Sequence, residues 1–442
     1  MNAALKNLID TEATTDLRDL LADTPTVTIA EELAHLDPTE RAVAFRLLNK
    51  DEAVEVFDAL DPEHQATLLD GLREDRVREL VEAMAADDRA RLFDEMPAKV
   101  AARLQQGLSR EQRQATATLL GYPAGSAGRI MLPVTTTLDA HLSREEALAR
   151  LSGRSDRGGE LAVLPVTDGT RRLIGTVTLT DLATAPAGAR VDELLARDLY
   201  QVSAHDDRET AARLVQEADL LALPVVDGEH RLLGVITVDD AMEVLEAEVT
   251  EDAYRTGGAE PINVPYLSAT VFHLARTRAV WLLVLILAAV MTVNVLEYFE
   301  TTLESMVTLA LFIPLLIDTG GNAGSQAATA VIRALAVGEV RVRDLPRILW
   351  REARVGLALG LLLAGVGFPI AAFFYGFEFG AIIAVTLLAI CLWASSVGGV
   401  LPLVAHKLRI DPAVFSAPVV TTLVDASGLI LYFLVAGAVL GL

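Results

Sequence analysis

After residue 278 the chain is dominated by five apolar runs, at about 279–296, 305–332, 353–375, 379–405 and 413–441. Each is near or above the ~20 residues that a helix needs to cross the hydrocarbon core of a bilayer. Lipid offers no partner to an open backbone N–H or C=O, so runs of this length predict a helical multi-pass membrane domain. The loops carry the orientation. Arg276 and Arg278 precede the first run, and Glu297, Glu300 and Glu304 follow it. Arg333, Arg341, Arg343, Arg347, Arg351 and Arg354 separate the second from the third. The next loop holds Glu378, and the one after it Lys407 and Arg409. Basic and acidic loops alternate, which predicts a cell-membrane protein with its soluble part in the cytoplasm and its C-terminus outside.

That soluble part carries the charge. The formal net charge of the 442 residues is −23, yet from Pro261 onward ten acids balance ten bases. Residues 1–260 therefore hold fifty acids against twenty-seven bases. Such a surface repels phosphate, which argues against a nucleic-acid partner and suits cations, with plain solubility as the alternative. Cys391 is the one cysteine and lies in an apolar run, so there is no disulfide framework and a reducing cytosol is compatible. The first twenty residues have charges throughout and no apolar core, unlike a signal peptide.

Two repeats divide the soluble part. Leu36, Leu60, Met84 and Leu108 recur every 24 residues, and the first two open LDPTE and LDPEH. Apolar residues follow at helical spacing (Ala42, Phe45, Leu48; then Val54, Phe57, Leu60), with Asp37 and Asp61 as caps and Pro38 and Pro62 in first turns. The pattern predicts short helices stacked into a superhelical array whose apolar positions are core. Next, 164–181 (LPVTDGTRRLIGTVTLTD) aligns with 223–240 (LPVVDGEHRLLGVITVDD) at an offset of 59, ten of eighteen positions being identical. Each copy reads strand, Asp-Gly turn, strand, then an acid before a helix, with helical stretches at Ser143–Leu151 and Arg208–Ala218 ahead of them. This predicts a tandem α/β module whose halves pack together. Beyond it, PINVP breaks the pattern and Tyr266–Thr277 reads as an amphipathic connecting helix.

Polar residues within the apolar runs point to function. The second run contains IPLLIDTGGNAGSQAAT (313–329). Its glycines permit a bend or a close approach, while Asp318, Asn322, Ser325 and Gln326 exceed what packing through small residues requires. The last run holds Asp425, flanked by Thr421, Thr422 and Ser427. A carboxylate at that depth marks an ion or proton path, unless it merely bonds a neighbouring helix. No intramembrane His or Cys accompanies Asp425 or Asp318, so oxygen donors favour Mg²⁺ or Ca²⁺ over soft metals. One carboxylate per chain is too few for a dry cage, but Mg²⁺ keeps several waters, and a dimer would bring two copies of Asp425 to its axis.

GGNAGSQ in the second run, DPA before the last, Asp425 in TTLVDASG, the tandem repeat and YPAGSAGRIM (122–131) together resemble the MgtE family of magnesium channels. The resemblance spans nearly the whole chain and implies an all-α superhelical N domain (1–128), CBS domains at 129–190 and 191–250, a connecting helix (251–278) and an all-α pore domain (279–442). It implies a homodimeric Mg²⁺ pore with Asp425 holding the ion and Gly321, Asn322 and Ser325 nearby. Asp318 stands where a glycine is expected and adds a second carboxylate. The family likeness further implies a cytosolic Mg²⁺ sensor, with Asp207, Glu209, Asp219, Asp240, Glu248, Glu251 and Asp252 as its candidates. CBS pairs often bind adenosine nucleotides, which makes ATP a candidate ligand with Asp181 or Asp240 on the ribose; a structural role for both is the alternative.

The competing functions are a carrier for Co²⁺ or Ca²⁺ or an ion-coupled transporter using Asp318, and, from another class, a membrane-anchored adenylate sensor. No P-loop is present and the seven histidines are scattered, so the chain is expected to be neither an ATP-driven pump nor an enzyme.

Overall fold

The computed structural model describes residues 2–441 apart from 12, 97, 134–135, 153–160, 197, 263–265, 267–268, 409 and 413–416. It forms two compact units, Met1–Glu248 and Val249–Leu442.

The first unit begins with short helices from Asn2–Asp10 to Arg110–Leu120. Leu36, Leu60, Met84 and Leu108, the period-24 positions, are all buried in one core with Phe45 and Phe57. Asp37 caps its helix by accepting from Thr39 N (2.9 Å) and Glu40 N (3.0 Å), and Asp61 accepts from His64 N at 3.1 Å. A polar repeat runs beside the apolar one. Arg41, Gln65, Arg89 and Arg113, again 24 apart, donate to carbonyls at the end of a preceding helix: Leu33 O, Phe57 O, Met84 O and Gln105 O. Carbonyls at helix ends have no partner of their own, so each repeat brings a long donor to satisfy them.

The tandem module follows. The strands are β1 (Leu132–Pro133), β2 (Leu138–Asp139), β3 (Val163–Thr167), β4 (Leu173–Thr178), β5 (Val202–Ser203), β6 (Ala222–Val226) and β7 (Leu232–Thr237). They form sheets in the orders β2-β3-β4 and β1-β7-β6-β5. In each hairpin the Asp carboxylate turns the chain: Asp168 accepts from Thr170 N (2.8 Å) and Arg172 N (2.9 Å), and Asp227 from Glu229 N (2.8 Å) and Arg231 N (2.9 Å). The left-handed residue is not the glycine but Arg171 (φ 66°) or His230 (φ 62°), the geometry of a type I turn closed by one left-handed residue. The two turns meet, with Leu173 N donating to His230 O and Leu232 N to Arg171 O, both at 3.0 Å. The two halves thus pack on each other as expected.

YPAGSAGRIM joins array to module. Gly128 N donates to Ala204 O at 2.9 Å, and a Cβ on Gly128 would lie 2.8 Å from that oxygen and from the Tyr122 ring. Only glycine allows that approach. Arg129 then ties back to Asp94 and to Leu119 O (3.0 Å).

In the second unit five helices are long and apolar enough to cross a membrane. They are span one (Val271–Tyr298), span two (Ile313–Ala336, entered through a 3-10 turn, Val307–Phe312), span three (Leu345–Tyr375), span four (Phe377–Lys407) and span five (Ala417–Leu440). The stretch read as one connecting helix over 251–278 is divided. Residues up to Thr256 finish the helix Val238–Thr256 that leaves the second module, and helix resumes at Val271, continuous with span one. Within Tyr266–Thr277, residues 267 and 268 lie outside the described residues, as do 263–265 of PINVP, Arg409 and Ala413 of the DPA motif. Gly376 (φ 95°) alone separates spans three and four, a turn closed to residues with a side chain. Span four is the central post, packed against spans two, three and five, while span one lies along span five.

Candidate functional site

Span two is one unbroken helix through its glycines, and the 3-10 turn Val307–Phe312 precedes it. The glycines serve close approach. A Cβ on Gly320 would lie 2.6 Å from Ile390, and one on Gly324 would lie 3.0 Å from Val420. Gly398 of span four meets Gly324 O so closely that its Cβ would overlap it at 2.1 Å. With its small residues turned inward, span two presents Asp318, Asn322 and Ser325, at i, i+4 and i+7, on another face; Asp318 and Asn322 are exposed and Ser325 half-buried. Asp425 meets this helix at Gly321, where a Cβ would lie 3.6 Å from its Oδ1. Asp318 is within electrostatic reach of Asp425. The structure thus brings together Asp318, Gly321 and Asp425 beside the Asn322–Ser325 face. The flanking hydroxyls do not join them: Thr421 and Thr422 donate to Pro418 O (2.9 Å each) and Ser427 to Leu423 O (2.8 Å). Among the described residues no three His, Cys, Asp or Glu side chains converge as a ready-made metal cage. A single protomer therefore offers a polar, carboxylate-bearing face rather than a closed chelate.

The candidates of the helical array and paired module, and of the helix that leaves them, fall into two groups. Asp207 caps its helix, accepting from Glu209 N (2.9 Å) and Thr210 N (3.2 Å). Glu209 pairs with Arg213, and Glu248 with Arg208 at 2.8 Å. Glu251 pairs with Arg255, whose guanidinium also reaches Asp411 ahead of span five. Asp252 lies on the same exit helix, half-buried, and Asp219 (φ 51°) sits in the loop before β6.

Asp240 is differently placed. It accepts from Thr237 Oγ1 at 2.5 Å, and burial pushes its carboxyl up to about 7, with Asp239, Asp88 and Glu243 adding repulsion. Facing it from the helical array are Asp87 and Asp88, with Asp58 close to Asp88 and Glu243; none of the three was a candidate from the sequence. Burial raises Asp58 to about 8 and holds Asp87 well above the usual carboxylate range; Asp87 also feels Asp240. Asp58 and Asp87 each keep a buried carboxylate oxygen with no hydrogen-bond partner. Arg91 bonds Asp88 (3.1 Å) and Glu243, and Arg89 is the other cation beside Asp87 and Asp88. Six acids thus meet two arginines across one face. The doubled acids Asp87-Asp88 and Asp239-Asp240, each opening a helix, were the available signal.

A cavity of about 390 Å³ lies between the halves of the tandem module, lined by Val163, Thr176, Thr178, Tyr200, Asp219 and Pro224 among others. That volume suits a small organic ligand. Asp181 stands beside it, accepting from the lining hydroxyl Thr178 Oγ1 at 2.6 Å. Of the two aspartates proposed for ribose, Asp181 neighbours the cavity, whereas Asp240 belongs to the acidic face.

Five membrane helices, a helical array and a paired module of this kind define a multi-pass membrane transporter with a large part outside the membrane helices. Family models match at every level: "Divalent cation transporter" over residues 313–435, "MgtE intracellular N domain" over 24–125, and "CBS domain" over 127–188 and 191–247. The chain is 36% identical over 342 residues to "Magnesium transporter MgtE" of Thermus thermophilus, covering 76% of this chain and 74% of that one. It is 29% identical to the Bacillus subtilis protein of the same name, covering 75% and 73%. A crystal structure of the cytosolic domain of the Mg²⁺ channel MgtE in complex with ATP superposes with a TM-score of 0.52 at 30% identity, over 55% of this chain and all of that one. The chain belongs to the MgtE family of magnesium transporters.

Proposed function

We propose that this protein is a Mg²⁺-selective channel of the cell membrane, importing Mg²⁺ through a homodimeric pore and closed by Mg²⁺ bound to its acidic cytosolic part. The observation that carries the pore is Asp425 seated against Gly321 beside the open face of Asp318, Asn322 and Ser325. A second copy facing it would pair the carboxylates and enclose the ion, which keeps most of its waters because each chain supplies few carboxylates. Asp318 adds charge on the approach to that point. Alternating basic and acidic loops support an orientation with the first unit inside and the C-terminus outside.

Closure follows from the acidic face. Six carboxylates against two arginines repel while uncompensated, and a divalent cation between them reverses that repulsion. Asp240 is the sensor residue best supported by its surroundings. The roles first proposed for Asp207, Glu209, Glu248 and Glu251 require Mg²⁺ to compete with a helix N-terminus or an arginine, and Asp219 and Asp252 complete that set. ATP is proposed for the cavity beside Thr178 and Asp181, as a modulator and not a reactant; no enzymatic activity is proposed.

Growth of a magnesium-starved host tests the reading. The chain is expected to restore growth at low external Mg²⁺, and Asp425→Ala to abolish that rescue while the protein still reaches the membrane. Undiminished rescue by Asp425→Ala would favour the membrane-anchored adenylate sensor. Flux that requires a proton or Na⁺ gradient would favour the coupled carrier through Asp318.

A further inference from the structure

Outside the pore and the sensor, the strongest uncommitted feature is the head of span three. Between residues 333 and 354 stand six arginines, no lysine and three acids (Glu339, Asp344, Glu352). Arg347, Trp350, Arg351 and Arg354 lie at i, i+3, i+4 and i+7 of one helix and share a face. All four are exposed, the Arg347 side chain at 88% and Trp350 at 66%. The Arg354 guanidinium lies over the Trp350 ring, 5.8 Å from its centroid. The nearby acids do not cover the stripe. Asp344 turns back to accept from Arg341 N at 3.1 Å and makes a longer ion pair with Arg347 at 3.6 Å, which leaves the Arg347 side chain 88% exposed. Glu352 is directed at span four, where a Cβ on Gly399 would meet its Cγ at 2.6 Å.

The same face continues toward the middle of the span as Leu357 (40% exposed) and Leu361 (58%), followed by Gly365. An outward apolar stripe on a spanning helix meets acyl chains, so the arginines above it stand at headgroup level, with the amphipathic indole at the boundary.

We propose that Arg347, Arg351 and Arg354, with Trp350, form a binding surface for anionic phospholipid headgroups of the cytoplasmic leaflet. Guanidinium groups bind phosphate bidentately, which a point-charge ammonium does not. Each basic side chain at such a surface adds to its attraction for anionic lipid, and Trp350 fixes the depth at which they act. The acidic cytosolic residues of the chain are the other partner of matching charge. The continuous apolar stripe beneath the arginines favours lipid, because a soluble acidic surface leaves that stripe unanswered. The inference is independent of the transported ion and rests on the proposed orientation only for the leaflet it names.

Tryptophan quenching tests it. The sequence has three tryptophans, so full-length Trp281→Phe/Trp393→Phe protein in lipid vesicles reports from Trp350 alone. Brominated phosphatidylglycerol is expected to quench it with a relative binding constant roughly three- to ten-fold above brominated phosphatidylcholine. In Arg347→Gln/Arg351→Gln/Arg354→Gln the ratio should fall to about one, with phosphatidylcholine quenching unchanged as the sign of intact insertion. If the triple variant does not reconstitute, Arg351→Gln alone should lower the ratio about two-fold. A ratio near one in the parent protein, as expected if acidic protein covers the stripe, overturns the proposal. So does a ratio that survives these substitutions.

Discussion

The two copies of the tandem module carry the same hydrogen bond into different surroundings. Thr178 donates to Asp181 and Thr237 to Asp240, three residues apart in each copy. Asp181 stands beside a cavity of about 390 Å³. Asp240 stands among Asp87, Asp88, Asp239 and Glu243, and its carboxyl is pushed up to about 7. One local geometry thus meets two surroundings, a cavity in the first copy and a cluster of carboxylates in the second. The difference comes from what is packed against each copy, since the helical array supplies Asp58, Asp87 and Asp88 to the second.

The largest expected effect on this contrast is Asp240→Asn. In the full-length protein, saturating Mg²⁺ should raise the thermal unfolding midpoint by several degrees through preferential binding to the closed face. Asp240→Asn removes both a ligand and a repelling charge, so that rise should shrink by at least about half. Asp181→Asn should leave it unchanged. Equal losses in both variants would break the division of labour.

A smaller effect is expected from pH without divalent ions. Asp58 and Asp240 have folded-state values raised to about 8 and about 7 by burial. The folded state therefore holds protons that the unfolded chain has already released above ~4, and stability falls as pH rises between about 4 and 8. With a chelator present, the unfolding midpoint should be higher at pH 5.5 than at pH 8. Asp58→Asn with Asp240→Asn should flatten that slope; an unaltered slope would place the titration elsewhere. Smallest and most local is nucleotide binding: Asp181→Asn should weaken ATP binding about tenfold, near the value of one charged hydrogen bond, with the Mg²⁺ response intact by calorimetry.

Much of this architecture was legible in the sequence because it rests on periodicity. Leu36, Leu60, Met84 and Leu108 announce the array, and the offset of 59 announces the paired module. Length and hydropathy mark the five spans. Asp425 was legible because a carboxylate has few reasons to lie in an apolar helix. The polar repeat of Arg41, Gln65, Arg89 and Arg113 was equally periodic, but its meaning depends on which carbonyls end nearby. The acidic face was the least legible. Asp87 and Asp240 are far apart in sequence, and their interaction exists only once array and module are folded together. Acids such as Glu209 and Glu248 look equivalent in sequence, yet the fold hands each an arginine. The connecting helix misled for a related reason: an amphipathic pattern continuous with an apolar run extends span one instead of forming a separate element.

The pore reading makes Asp425 indispensable to conduction and leaves its neighbours to tune it. Electrical recording from the purified protein in planar bilayers, with Mg²⁺ as the sole permeant cation, tests this most directly. The account predicts unitary Mg²⁺ currents in the parent protein and their disappearance in Asp425→Ala. Currents of undiminished size in that variant would contradict it.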